Sequence, residues 1–237
     1  MMKKLIAFVL IITLTKIHSQ TEEFNALLQK YVDDQGFVDY QSLKKNESKL
    51  DDYLAYLNKT SPKKDWSANK EKAFWINAYN AYTLKIILEN YPVKSITKIN
   101  YDGKNAWKTP FVKVGGTTYT LDHVEHEILR KKFKDPRIHV GVNCASGSCP
   151  KLGNFAFTEN NIDSELDRLM KEFINDPTRN RLNGKKAEIS EIFNWFQGDF
   201  TTNGSSVIDY INRYANEPLD AKAKIKYLTY DWSLNGK

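Results

Sequence analysis

The sequence predicts an α+β fold, a single mixed domain in which several helices pack on a small sheet behind a helical N-terminal preamble. Apolar residues recur at helical spacing in several segments, and short alternating stretches bounded by Gly or Pro predict strands between them. Helices and strands do not alternate strictly, which favours α+β over a doubly wound sheet. We assign residues 1–19 to a leader, 20–62 to the helical N-terminal segment and 63–237 to the main domain.

The leader has the order of regions found in a secretory signal peptide. Lys3 and Lys4 precede the apolar run 5–14, and residues 15–19 are short and mostly polar. The apolar run is shorter than the ~20 residues that cross a bilayer. We therefore expect cleavage near Ser19, a secreted or periplasmic protein, and no stable membrane span after cleavage.

The charge pattern argues against a nucleic-acid partner. The 35 Lys and Arg and 29 Asp and Glu residues give +6, and three Lys leave with the leader, so 32 basic residues face 29 acidic ones, a net +3. The two signs are interspersed, as on an ordinary solvated surface. We expect a small-molecule or peptide-like ligand and no cofactor, and the oligomeric state stays open.

The first half of the chain reads as three helices. Thr21 can cap the first, which carries an apolar stripe and stops at Gly36, and the second covers about 47–57. Residues 58–65, with Ser61-Pro62, are the candidate hinge before the main domain. The longest helix, about 68–89, is apolar around most of its circumference, which predicts a buried central position.

The second half mixes both kinds of element. Residues 111–121 predict a hairpin that turns at Gly115-Gly116, and a helix to Lys132 follows, capped by Thr120 or Asp122. Alternating apolar residues over 137–143 predict a core strand. The remaining predictions are helices at 163–174, 192–196 and 207–214, a hairpin at 181–185 and a closing strand at 225–232.

Several motifs in this order resemble one protein family. They are the string Phe74-Trp75-Ile76-Asn77-Ala78-Tyr79-Asn80-Ala81, then Glu125-His126 with Leu129-Arg130, then Arg137-Ile138-His139, then Asn143-Cys144-Ala145-Ser146-Gly147-Ser148-Cys149-Pro150, and finally Tyr230-Asp231-Trp232-Ser233-Leu234-Asn235. Together they resemble the family catalogued as domain of unknown function 547. The resemblance assigns no activity, but it implies where the site lies: Asn77, Asn80, Glu125, His126, Arg130, His139, Cys144 and Cys149.

The two cysteines allow two interpretations. In an exported protein, thiols five positions apart form a disulfide, which would remove the thiol chemistry. Alternatively one is a nucleophile. Cys144 follows a predicted strand, where the small residues at 145–148 let backbone N–H groups cradle an oxyanion, Ser146 and Ser148 among them. Cys149 precedes Pro150, at a candidate helix N-cap that would favour a thiolate. We favour Cys144.

A nucleophilic thiol needs a base, and two histidines are candidates. His139 would share a strand with Cys144 and point to the opposite face, so it serves only if the chain turns at Asn143. His126 meets no such obstacle. Its neighbour Glu125 does not face it on a helix, so the residue that orients it would come from Asn77, Asn80 or Asp231.

Two further chemistries are weaker. His123 and His126 share a helix face and could hold a metal ion with Cys144 or Glu125, but the spacing matches no zinc signature, so we assign no metal. Arg130 could bind a substrate carboxylate in bidentate fashion. The function expected is a thiol-dependent hydrolase or acyl-transfer enzyme acting on a peptide-like or amide substrate. The alternative is a noncatalytic extracytoplasmic binding module stapled by a Cys144–Cys149 disulfide.

Overall fold

The computed structural model describes residues 20–237, so the predicted signal peptide lies outside the described residues. The α+β class is confirmed, with helices packed around three small sheets. The helices are α1 (20–31), α2 (Tyr40–Lys45), α3 (Ser48–Lys59), α4 (Ala68–Asn90), α5 (His123–Arg130, π-type, continuing through Lys131–Phe133), α6 (Ile138–Gly141), α7 (Ile162–Asn175), α8 (Ile192–Trp195), α9 (Gln197–Phe200) and α10 (Val207–Asn212). The strands are β1 (Asn100–Tyr101), β2 (Lys104–Asn105), β3 (Val112–Val114), β4 (Thr117–Tyr119), β5 (Arg181–Asn183), β6 (Lys186–Ile189) and β7 (Lys224–Tyr227).

Helix α4 is the centre of the molecule, as its apolar circumference predicted. The hydroxyl of Ser67 caps it by accepting from the backbone N–H of Lys70, and it ends before Tyr91 and Pro92. Its 23 residues are buried along almost their whole length. Fully burying each large apolar side chain stabilises the fold by ~1.5–3 kcal/mol before entropy is counted, so this helix anchors the elements around it.

The preamble helices pack into the same hydrophobic core as α4. The ring of Phe24 on α1 stacks on Tyr53 of α3 with centroids 4.3 Å apart. The backbone N–H groups of Gly115 and Gly116 donate to the carbonyls of Leu57 and Asn58 at 3.0 and 2.7 Å. One continuous core therefore crosses the proposed domain boundary, whose position stays a prediction.

The predicted hairpins form. Gly115 and Gly116 take φ values of +57° and +78° in the turn between β3 and β4, a conformation that glycine adopts without a Cβ penalty. Strands β5 and β6 form the second hairpin, and β7 adds in parallel to β6. The closing strand is shorter than predicted. Residues 228–237, the C-terminal segment, instead cross the molecule. They pair with residues 144–149, the cysteine loop, through the bridge between Ser146 and Leu234.

The strand predicted over 137–143 is wrong, since this segment contains the short helix α6. Both faces of Ile138–Gly141 are buried, so the alternation of apolar residues does not distinguish a strand from a helix in this segment. The side chain of Asn80 fixes the end of the turn. Its Nδ2 donates to the Gly141 carbonyl at 2.8 Å, and its Oδ1 accepts from the Asn143 N–H at 2.9 Å. Tertiary hydrogen bonds thus override the local propensity.

Two smaller expectations also change. Thr21 lies inside α1 and does not cap it. No helix begins at Pro150, because residues 151–157 are irregular, so Cys149 is not at a helix N-cap. Within residues 20–237, no helix combines the length and apolar character needed to span a membrane.

Candidate functional site

A cavity of about 200 Å³ lies between four parts of the molecule, which are α5, α8, the cysteine loop after α6, and the C-terminal segment. Tyr79 from α4 forms part of its inner wall. The cavity brings together five side chains that the sequence singled out: Glu125, His126, His139 and the two cysteines. Its other lining residues are Trp107, Asp122, Val142, Ile192, Trp195, Phe196, Tyr230 and Trp232.

The thiol of Cys144 is half-buried and lies within hydrogen-bond distance of two hydroxyl groups. Its Sγ lies 3.1 Å from the Oγ of Ser146 and 3.3 Å from the Oη of Tyr230. Ser146 Oγ donates to Tyr230 Oη at 3.0 Å, which leaves the phenolic hydrogen for the sulfur. Hydrogen bonds with the Cys149 thiol, Ser146 and Tyr230 lower the pKa of Cys144 against the opposing effect of burial. Cys144 is therefore the more acidic thiol of the pair.

Cys149 lies behind Cys144 and is only 4% exposed. Both cysteines are free, so the disulfide expected under the binding-module alternative is absent from the structure. The backbone N–H of Cys144 donates to the Sγ of Cys149 at 3.2 Å. Burial raises the pKa of Cys149 well above its ordinary value, and the neighbouring Cys144 adds to that effect. The buried thiol is thus held in its protonated form, as a donor to Cys144.

The cysteine loop does not provide the oxyanion cradle that its small residues suggested. Three of the N–H groups at 145–148 are already engaged: Ala145 with Asn143 Oδ1, Gly147 with the Ser233 carbonyl and Ser148 with the Asp231 carbonyl. The C-terminal segment supplies the last two acceptors, which the loop sequence alone does not reveal. An oxyanion in the cavity would therefore rely on side chains.

Asn143 is a site residue that the sequence analysis treated only as a turn position. Its Nδ2 donates to the Pro150 carbonyl at 2.8 Å, and its Oδ1 accepts from Ala145 N–H and from Asn235 Nδ2 at 2.9 and 3.3 Å. These bonds close the loop around both cysteines. They also hold Ala145 at a φ of +55°, a left-handed conformation unusual for a residue with a Cβ.

Glu125 is buried beside Tyr79, whose hydroxyl is hydrogen-bonded to the carboxyl group. Burial raises the pKa of Glu125, because the charged form is costly away from water. Its negative charge also reaches Cys144, where it opposes the loss of the thiol proton. A carboxyl with a raised pKa in a cavity is suited to accept and return a proton.

His126 is oriented by Arg130 one turn further along α5. A guanidinium N–H of Arg130 lies 3.1 Å from His126 Nδ1, and because arginine only donates, Nδ1 accepts and the neutral ring carries its proton on Nε2. That Nε2 lies 4.0 Å from Asp122 Oδ1. Among residues 20–237 no direct hydrogen bond joins Cys144 to a histidine. In this arrangement His126 can donate a hydrogen bond into the cavity.

The second histidine belongs to a buried charge network. His139 Nε2 lies 2.7 Å from Asp199 Oδ2, and Arg130 donates to both oxygens of the same carboxylate at 2.6 and 3.0 Å. Burial opposes ionisation of Asp199, but the hydrogen bonds from His139 and Arg130 hold its pKa well below the usual range. Burial lowers the pKa of His139. Its ring stacks on Phe196 with centroids 4.1 Å apart, which fixes it in place.

Arg130 is therefore positioned by Asp199, which no sequence motif indicated. The guanidinium also lies over the Phe196 ring, 4.8 Å from its centroid. Because both carboxylate oxygens of Asp199 face it, Arg130 is already paired. The substrate carboxylate that the sequence suggested for Arg130 would have to compete with this ion pair.

An aromatic wall forms the outer side of the cavity. We define it as Trp107, Trp195, Tyr230 and Trp232. Trp232 contacts Trp107, Trp195 and Tyr230 with centroids 5.7, 5.8 and 4.5 Å apart. Trp195 is 46% exposed, unusual for a tryptophan that only fills a core. The wall draws on three separated segments, so sequence spacing gave no signal for it.

The remaining predicted site residues have structural contacts. Asn77 brackets the backbone of Phe157, donating to its carbonyl at 2.7 Å and accepting from its N–H at 2.9 Å, and it faces away from the cavity. Ser148 Oγ accepts from the backbone N–H of Asp231 at 2.9 Å. The Asp231 carboxylate accepts from Ser233. None of Asn77, Asn80 and Asp231 has a hydrogen bond to His126 among the described residues.

The described part of the chain has no group of three or more His, Cys, Asp and Glu side chains arranged to hold a metal ion. His123 is exposed on α5 beside Tyr119. It is absent from the cavity lining, whereas His126 is part of it.

The fold and the cavity define an α+β protein whose site is built around two free thiols. Residues 63–174 match the family model described as "Protein of unknown function, DUF547". The matched segment contains α4, α5, α6, the cysteine loop and all but the last residue of α7. Comparisons with curated proteins and with solved structures gave no match.

Proposed function

We propose that this protein is a thiol-dependent enzyme that performs acyl transfer or hydrolysis on a peptide-like or amide substrate, with Cys144 as the nucleophile. The observation that carries the proposal is the environment of that thiol. Its sulfur faces a cavity, and hydrogen bonds with Cys149, Ser146 and Tyr230 lower its pKa. Structural cysteines are usually enclosed in apolar surroundings, where the thiol stays protonated and inert.

The reaction begins with attack of the Cys144 sulfur on a substrate carbonyl carbon. The carbonyl oxygen takes the negative charge, and collapse of this intermediate expels the amine with a proton and leaves an acyl group on Cys144. Water or a second nucleophile then releases the acyl group. Three N–H groups of the cysteine loop are engaged, so we assign the stabilisation of the oxyanion to side chains.

We assign the two polar side chains of α5 different roles. His126 donates its Nε2 hydrogen to the oxyanion, since Arg130 engages Nδ1. To act as the base first expected, His126 would have to give up that contact. Glu125 has a raised pKa and lines the same cavity, so it takes the thiol proton and returns it to the leaving amine.

The aromatic wall favours one other interpretation, a noncatalytic binding module. Stacked tryptophan and tyrosine rings beside a cavity offer a surface for an extracytoplasmic peptide or glycan without any chemistry. In that case, the two cysteines and His126 support the pocket. Transfer of an acyl group to Cys144 separates the two interpretations.

The test uses p-nitrophenyl acetate with the reduced full-length chain, and mass spectrometry identifies acetylated residues. We expect one acetyl group on Cys144, released by added hydroxylamine, and none on that position in Cys144→Ser. Glu125→Gln should slow acylation, whereas His123→Ala on the same helix should leave it unchanged. Circular dichroism checks that each variant folds. Equal rates of Cys144 acetylation in wild type and Glu125→Gln would contradict the role of Glu125 as the base. Absence of an acetyl group on Cys144 in wild type would favour the binding module.

We further propose that the protein acts outside the cytoplasm. The support is the leader pattern of residues 1–19.

A further inference from the structure

We infer that Cys144 and Cys149 form a redox pair, in which Cys144 attacks a disulfide substrate and Cys149 resolves the resulting mixed disulfide. This activity shares its nucleophile with the proposed acyl transfer but uses Cys149, which acyl transfer does not need. The two cysteines differ in the way that such a pair requires. Cys144 is half-buried at the cavity, and Cys149 lies behind it, 4% exposed.

The contacts between the two cysteines place the sulfur atoms together. The Cys149 thiol donates a hydrogen bond to Cys144, and the Cys144 backbone N–H lies 3.2 Å from the Cys149 sulfur. The four residues between them form a tight loop, held by Asn143 on one side and by the C-terminal segment on the other. The resolving sulfur is therefore held against the attacking one before any substrate arrives, which favours ring closure.

Arg179 supports the same loop from the outside. Its guanidinium donates to the Cys149 carbonyl at 2.8 Å and to the Gly147 carbonyl at 3.3 Å, while Asp176 pairs with it at 2.6 Å. No side chain of this support contacts the cavity. Contacts outside the cavity thus hold the cysteine loop in place. The loop can keep them while it alternates between the dithiol and the disulfide.

The electrons and atoms balance in two exchange steps. The Cys144 thiolate attacks one sulfur of R–S–S–R′, which forms the Cys144–SR bond and releases R′–S⁻. Cys149 loses its proton and attacks the Cys144 sulfur, which forms the Cys144–Cys149 bond and releases R–S⁻. The two protein protons go to the two released thiolates. The substrate gains two electrons and the protein pair loses them, so turnover requires a dithiol reductant.

The test uses bis(2-hydroxyethyl) disulfide with the fully reduced full-length chain, followed by acid quenching and mass spectrometry of the intact protein. Wild type should end as the intramolecular disulfide, with two mercaptoethanol molecules released per chain. Cys149→Ser should stop at a stable adduct on Cys144 that lives at least ~10 times longer than in wild type. Cys144→Ser should not react over the same period, because Cys149 is buried.

A wild-type chain that keeps the adduct on Cys144 while Cys149 stays free would overturn the proposal. This readout needs no variant, so a folding defect in Cys149→Ser cannot conceal the outcome. Acetylation of Cys144 by p-nitrophenyl acetate in a separate, fully reduced portion of Cys149→Ser tests the acyl-transfer function independently. If Cys149→Ser is still acetylated but no longer closes the disulfide ring, both proposals are supported. If wild type closes the ring but Cys144 is not acetylated, only the redox pair is supported.

Discussion

The phenolic oxygen of Tyr230 lies 3.3 Å from the sulfur of Cys144, although 86 residues separate them in the chain. Tyr230 comes from the segment after β7, which crosses the molecule to reach the cysteine loop. Ser146 donates to the same phenol at 3.0 Å and so directs its hydrogen toward the sulfur. The reactivity of the thiol is thus set by a residue from the far end of the chain.

Tyr230→Phe should raise the pKa of Cys144 by about one unit, because a hydrogen bond to a charged group contributes ~1.5–3 kcal/mol. The measurement is the rate of iodoacetamide alkylation of the reduced protein as a function of pH. Tyr227→Phe on β7 is the matched control and should leave the titration unchanged. A titration that does not move in Tyr230→Phe would remove the phenol from the activation of the thiol.

His126→Gln should preserve much of the acylation rate, while His126→Ala should lose about 100-fold, the usual effect of deleting one oxyanion donor. Glutamine still offers an N–H group but cannot take a proton. Single-turnover acetylation of Cys144 measures both rates, with His123→Ala as the control. If glutamine and alanine are equally slow, the imidazole acts as a base and the donor role assigned from the Arg130 contact is wrong.

Asn143→Ala should lower the free energy of unfolding by ~3 kcal/mol, since it removes three buried hydrogen bonds worth about 1 kcal/mol each. Urea denaturation followed by tryptophan fluorescence measures the change. Asn183→Ala on the exposed strand β5 should cost little. A similar small loss in both variants would show that the loop is held by other contacts.

Acid should destabilise the protein in two pH windows. The pKa of His139 is lower in the folded protein than the ordinary value of ~6.5 that it has in the unfolded chain. Below pH ~6.5 the unfolded chain therefore takes up this proton more readily than the folded protein does. The stability that is present above that pH falls as the pH decreases. Asp199 also has a lowered pKa, so its contribution is lost further down, as the pH falls below ~3.9. Urea denaturation midpoints measured across both windows test this expectation.

His139→Gln should flatten the first window and leave the second in place, because glutamine keeps a donor for Asp199 but does not titrate. His123→Gln, on an exposed position, should retain both windows. An unchanged first window in His139→Gln would assign that proton uptake to another group.

Protein recovered from its native envelope should begin close to Gln20. The basic start, apolar run and polar segment predict cleavage near Ser19. Intact-mass analysis of the purified chain measures the N-terminus directly. A full-length chain that retains Met1 would contradict both the processing and the proposed location.

Local signals in the sequence were enough to predict several elements. Helix α4 was apolar around most of its circumference, and Gly115-Gly116 required a turn that tolerates positive φ, so both predictions held. The motifs also contained most of the titratable residues that line the cavity, Glu125, His126, Cys144 and Cys149 among them. These signals need no knowledge of distant contacts.

What each of those residues can do depends on tertiary contacts. Segment 138–141 is a helix because Asn80 binds the end of its turn, although its apolar alternation resembles a strand. The carbonyls of Asp231 and Ser233 occupy the N–H groups of Ser148 and Gly147, and Tyr230 from the same segment helps to lower the pKa of Cys144. Hydrogen-bond partners far apart in the chain leave no periodic signal in the sequence, yet they hold the cysteine loop and its thiols in place.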